Sequence, residues 1–167
     1  MRTFLYFLWI VMSPSLFAES STQEASKEVN QTIHLLRELG HKVCPDDVAK
    51  AMSDRFTSLP IKKQELSQAL KIAYNSTFEL FKNYRTHCHW TNNAFQDLIE
   101  HLNRQAKSHF VPVMSSALER LVENFKELDQ FLTQQNFSCC AWENVRQDIL
   151  RVMDHFKKMT RPRRKHV

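Results

Sequence analysis

Gly40 is the only glycine in this 167-residue chain, and that scarcity argues against most β architectures. Hairpins and tight strand connections draw on glycine for backbone with positive φ. A chain with one glycine is better built from long helices joined by few tight turns. The apolar residues repeat accordingly. A first helix is predicted over 24–39, with Val29, Ile33, Leu36 and either Leu35 or Leu39 on one face. Gly40 follows, where a left-handed residue commonly stops a helix. Residues 41–60 then form a long connection in which Val48, Met52 and Phe56 give a turn or two of helix. A second helix is predicted from Pro60 to about Tyr84, since proline is well tolerated in a first turn. It aligns Leu66, Leu70, Ala73, Thr77, Leu80, Phe81 and Tyr84. A third runs from about Thr91 to Lys107 with Ala94, Phe95, Leu98 and Leu102 inward. A fourth starts at Pro112 or Ser115 and reaches about Thr133, carrying Met114, Leu118, Leu121, Val122, Phe125, Leu128 and Leu132. The last runs from about Cys139 to Met159 behind the N-cap Ser138. Val145, Ile149, Val152 and Phe156 form its buried stripe, while Arg146, Leu150 and Arg151 fall largely outside it. Five amphipathic helices with a long first crossover predict an all-α helical bundle in one domain.

The N-terminus reads as a secretory signal. Arg2 precedes the apolar run from Phe4 to Met12, which is shorter than the ~17 apolar residues that span a bilayer. A cut after Ala18, or alternatively after Ser20, leaves residues 19–167 as the mature domain. In an oxidising compartment the four cysteines, Cys44, Cys88, Cys139 and Cys140, are expected to pair. Adjacent Cys139 and Cys140 are poor partners for each other, so each is expected to take one of Cys44 and Cys88. Secretion also makes the sequons at Asn30, Asn75 and Asn136 candidate glycan sites that must face water. Asn75 lies about 200° around the axis from Ala73, on the outer face. The net charge of +5 is mild and gathers partly in a tail, 161–167, with Arg161, Arg163, Arg164 and Lys165. Such a tail is ordinarily a solvated terminus, and it could also hold anionic glycans or membrane.

No catalytic constellation is present. His87, Cys88, His89, Cys139 and Cys140 include zinc-ligand types, but their spacing matches no zinc pattern and secreted thiols oxidise. No metal and no cofactor is therefore expected. One glycine builds neither a phosphate-binding loop nor a nucleophile elbow. His34, His41, His101, His109, His155 and His166 read as exposed polar residues, and Trp90 and Trp142 as core anchors.

The run Cys140-Ala141-Trp142-Glu143, followed by two residues and Arg146, resembles the type I interferon signature. Cys44 in the first loop, Phe78 and Phe81 late in the second helix, and Trp90 opening the third are similar to the family in the same order. The resemblance implies an up-up-down-down helical-bundle cytokine of five main helices. It also implies a Cys44–Cys140 bridge. With that pair assigned, Cys88 and Cys139 are expected to join, because the third and last helices of the family bundle run the same way. The chain departs from many members in lacking a cysteine just after Ala18 and another within 104–110. The link between its third and fourth helices is also short.

The function implied is a secreted cytokine that brings together a two-chain cell-surface receptor; a monomer is the default expectation, since nothing in the sequence fixes the oligomeric state. Kinases attached inside the cell then drive antiviral gene expression, with no nucleic-acid contact, membrane insertion or catalysis. Arg146, Leu150 and Arg151 match positions where the family meets its high-affinity receptor chain. A guanidinium gives directional pairing and an exposed leucine an apolar anchor. Asp46, Asp47 and Val48 stand in the first loop where some members have a leucine and an arginine. Two alternatives share this composition. One is a helical cytokine of another branch. The other is a secreted cationic protein that binds glycans or membrane through 161–165, with strong salt dependence.

Overall fold

A computed structural model describes residues 14–40, 44, 53–84, 88, 90–107 and 115–161. Six α-helices and one 3₁₀ turn are found among them: α1 (Pro14–Glu38), α2 (Ser53–Thr57), a 3₁₀ turn (Lys63–Glu65), α3 (Leu66–Lys82), α4 (Asn92–Ala106), α5 (Ser116–Gln134) and α6 (Cys139–Thr160).

Local chemistry sets most of the boundaries. Gly40 stops α1 at φ +94°, in the left-handed region, with its N–H donating to the Arg37 carbonyl. Ser115 caps α5 by accepting from the Leu118 N–H. Ser138 caps α6 by accepting from the Ala141 N–H at 3.2 Å. Two predicted starts shift. The first helix begins at Pro14 instead of Glu24, so the predicted cut after Ala18 falls inside its opening turns. The second does not open at Pro60. Leu59 is held inward, the Ile61 N–H donates to the Leu59 carbonyl, and the chain stays non-helical through Lys62. The Glu65 carboxylate then accepts from the Lys62 N–H at 2.8 Å, which holds its pKa below the usual value. Of the helical turn expected around Val48, Met52 and Phe56, the described part is α2, where Phe56 packs edge-on against Phe125. Val48, Met52, Pro112 and Met114 lie outside the described residues.

Pairings between helices give the direction of each. Thr32 meets His101, and Glu28 meets Gln105, so α1 and α4 are antiparallel. Tyr84, just past α3, packs on Trp90 and Phe95 at the start of α4, so α3 and α4 are antiparallel too. Cys88 and Cys139 put the starts of α4 and α6 at the same end, and Cys44 brings the chain beyond α1 to that end as well. Helices α1 and α3 therefore run one way and α4 and α6 the other: up, up, down, down. Helix α5 returns between them.

The core is continuous from Val29 and Ile33 on α1 to Val152 and Phe156 on α6. Each fully buried side chain of this size contributes about 1.5–3 kcal/mol. Its densest part is aromatic. Phe81, Tyr84, Trp90, Phe95 and Trp142 meet at the end that carries the disulfides, with Phe81 and Tyr84 centroids 5.7 and 5.1 Å from Trp142. Trp90 and Trp142 are core anchors, as their apolar bulk leads one to expect.

Candidate functional site

Several constraints converge on the mouth of α6. Cys140 is bonded to Cys44 and Cys139 to Cys88, with Cα–Cα distances of 5.6 and 5.4 Å. Two successive residues thus fix the first loop and the link before α4 to one helical turn. The sulfurs are disulfides, so they offer neither thiolate ligands nor nucleophiles. His87 and His89 lie outside the described residues. Just before the helix, Asn136 and Phe137 take φ of 48° and 52°. This left-handed turn lets the Phe137 N–H donate to the Leu132 carbonyl at 2.8 Å, closing the end of α5. Phe137 is left 40% exposed, its ring 6.4 Å from Trp142.

Arg146 corrects the sequence reading. The helical spacing puts it outside the buried stripe and the family resemblance makes it a receptor contact, yet it is 3% exposed. Its Nε donates to Glu143 Oε2 at 2.9 Å and its second terminal nitrogen to Glu143 Oε1, while Nη1 donates to the Leu36 carbonyl at 2.8 Å. The cause is geometric. Arg146 is one turn beyond Trp142 and one turn before Ile149, so it shares their face. It meets the last turn of α1, where the Leu36 carbonyl accepts from its guanidinium in place of a helical N–H donor. A cation there also complements the negative end of the α1 dipole. Glu143, near the positive end of α6, takes a further donor from Gln147. Arg146 joins the end of α1 to the start of α6 and is not offered to solvent.

The other two residues of the predicted face behave differently. Leu150 is half-buried and leans on the core. Arg151 has 51% of its side chain exposed and pairs with Asp148 at 3.2 Å. Beside it run Asn144, Gln147, Asp154, His155 and Lys158, partly or fully open, and Arg37 of α1 reaches Asp154 at 3.6 Å. The open strip of α6 is thus Gln147, Arg151, Asp154 and Lys158, bordered by Arg37. Sequence reasoning missed all but Arg151, although the spacing of three and four from 147 to 158 carried the signal. Burial holds the His155 pKa down, with Lys158 acting in the same direction.

Two further expectations divide. Asn30, Asn75 and Asn136 are all exposed, as a glycan requires. His101 is not an exposed polar residue. It is buried between α1 and α3, with Nε2 2.8 Å from Thr32 Oγ1, Nδ1 3.9 Å from Glu28 and its ring edge-on to Tyr74. Burial pushes its pKa down against the opposing pull of Glu28, and burial raises the Tyr74 hydroxyl to about 12. Its position three residues after the run Ala94 to Leu98 does not reveal these partners, because they are on other helices.

Among the described residues no helix is long and apolar enough to cross a membrane. Residues 21–162 match the sequence pattern of the family described as the interferon alpha/beta domain. A comparison with curated proteins finds no match. Among solved structures the chain is similar to zebrafish interferon 1, with a TM-score of 0.65 and 20% identity, over 85% of this chain and 99% of that one. At that identity the likeness bears on the fold.

Proposed function

The chain belongs to the interferon alpha/beta family, and we propose that it is a secreted, monomeric cytokine that joins two chains of a type I interferon receptor at the cell surface and induces antiviral genes. The family is one of cytokines, which act by binding and not by catalysis. Export would use residues 1–18. The observation that carries the receptor reading is the open strip of α6, where Arg151 stands exposed beside Leu150 and one turn before Asp154, which pairs with Arg37 of α1. Arginine is among the residues on which interface energy concentrates, and the half-buried Leu150 adds apolar area beside it. Arg146 supports that strip from beneath by fixing α1 against α6, and its burial keeps it from the surface.

The test is binding of the refolded chain to the two receptor ectodomains, measured separately. Arg151→Ala is expected to weaken binding to the tighter chain by about 5- to 30-fold, the effect of losing ~1–2 kcal/mol. Its melting temperature should stay within about 3 °C, since an exposed ion pair contributes little. Unchanged affinity for both ectodomains would remove Arg151 from the interface.

A further inference from the structure

The three sequons are not equivalent once the bundle is folded. In the Asn30 sequon, the Thr32 hydroxyl donates to the Glu28 carbonyl and meets His101, so the fold itself needs that threonine. In the Asn136 sequon, Ser138 is the N-cap of α6, and Asn136 sits at a left-handed φ that asparagine tolerates better than most residues. The Asn75 sequon has no such explanation. Thr77 is fully buried and its Oγ1 has no hydrogen-bond partner. A buried hydroxyl without a partner costs stability that valine, of the same shape, would not cost. Asn75 is exposed and its side chain makes no hydrogen bond among the described residues. Both residues are idle in the fold, at the two positions an N-glycosylation signal requires.

Asn75 also opens onto a groove between α3 and α5. Its volume is about 300 Å³, and its walls include Glu79, Asn83, Val122, Lys126 and Asp129. That is the small end of the ~300–1,000 Å³ range of ligand sites, room for a single sugar ring. Half-buried Val122 suits the C–H face of a pyranose. The carboxylates of Glu79 and Asp129 can accept from sugar hydroxyls, and Lys126 can donate to an acetamide carbonyl.

We propose that Asn75 is the principal N-glycosylation site and that its first N-acetylglucosamine lies in the α3–α5 groove. In the transfer, the Asn75 amide nitrogen bonds to the anomeric carbon of a lipid-pyrophosphate-linked oligosaccharide. The C–O bond to the pyrophosphate breaks, the lipid pyrophosphate leaves and the amide proton goes to solvent. Because Thr77 is buried in the folded chain, the transfer precedes folding. The inference rests on the secretory reading only through entry into the glycosylating compartment.

To separate the two, residues 19–167 are expressed in glycosylating cells behind an independently proven leader, in parallel with the full chain behind its own. Enzymatic glycan release in ¹⁸O-water marks each occupied asparagine. The inference expects Asn75 to be marked at higher occupancy than Asn30 and Asn136 in the protein carrying the proven leader. An unmarked Asn75 there overturns it, whereas failure of the native leader alone bears on secretion. Thr77→Val should abolish the mark on Asn75. The same variant made without glycosylation should melt at or above the temperature of the parent, and a lower melting temperature overturns the reading of an idle hydroxyl. Trimming to a single N-acetylglucosamine should leave Lys126 acylated several-fold more slowly than in bare protein, and equal rates would overturn the groove as its seat.

Discussion

Replacing Arg146 by alanine separates a structural arginine from a receptor-contact arginine. The side chain is 3% exposed, and its removal strands two acceptors: the Glu143 carboxylate and the Leu36 carbonyl. Breaking a buried pair by deleting one partner costs about 3–5 kcal/mol, because the other charge remains buried. Glu143 keeps the Gln147 amide and the positive end of α6, which points to the lower part of that range. For a domain of this length, ~3 kcal/mol lowers the melting temperature by about 6–12 °C. Thermal unfolding by circular dichroism reads this directly. Removing Glu143 as well should recover part of the loss, since the double variant no longer buries a carboxylate that has lost its counter-charge. A melting temperature within about 2 °C of the parent, combined with lost receptor binding, would refute the argument. It would place Arg146 back on the surface.

The disulfides and the buried histidine give further expectations. Cys44 and Cys140 enclose a sequence separation of 96 and Cys88 and Cys139 one of 51. In the chain-entropy model, replacing a pair by serines then costs about 4.7 and about 4 kcal/mol respectively. Denaturant unfolding should show two losses of similar size, and a negligible loss for either pair would contradict the pairing. His101 faces Glu28 from α1, Tyr74 from α3 and Arg104 on its own helix. Its folded pKa lies below the unfolded value of about 6.5. The unfolded chain therefore takes up the proton first as pH falls. Stability is complete above pH ~6.5 and declines below it, by at most about 1.4 kcal/mol per pH unit for one proton. Urea titrations at pH 7.5 and 5.5 should show this slope in the parent and a shallower one in His101→Gln, whereas equal slopes would dismiss the histidine as its source.

Much of the architecture was legible because it depends on local spacing. The stripes Leu118–Leu132 and Val145–Phe156, the stop at Gly40 and the cap at Ser138 need only a few neighbouring residues to be recognised. The Trp142 and Trp90 anchors follow from their size. The errors lie where a distant partner decides. Arg146 is held by a carbonyl 110 residues away and His101 by a hydroxyl 69 residues away. Residue type alone puts both on the surface, since charged and polar side chains are rarely buried without partners. The φ preference of Pro60 favours a helix start, but Leu59 is buried and its carbonyl accepts from the Ile61 N–H, and the chain stays non-helical through Lys62. Of the candidate site, Arg151 was visible as an exposed position. The border supplied by Arg37 depends on how α1 packs against α6 and has no local signature.

The account is tested most directly by a transcriptional reporter for interferon response in host-matched cells. The refolded 19–167 protein, with both disulfides verified, is added to parental cells and to cells lacking either receptor chain. The account predicts induction in the parental cells, its loss in both knockouts and a higher half-maximal dose for Arg151→Ala. Induction that persists without the receptor chains, or none from correctly bonded protein on cells that answer a control interferon, would contradict it.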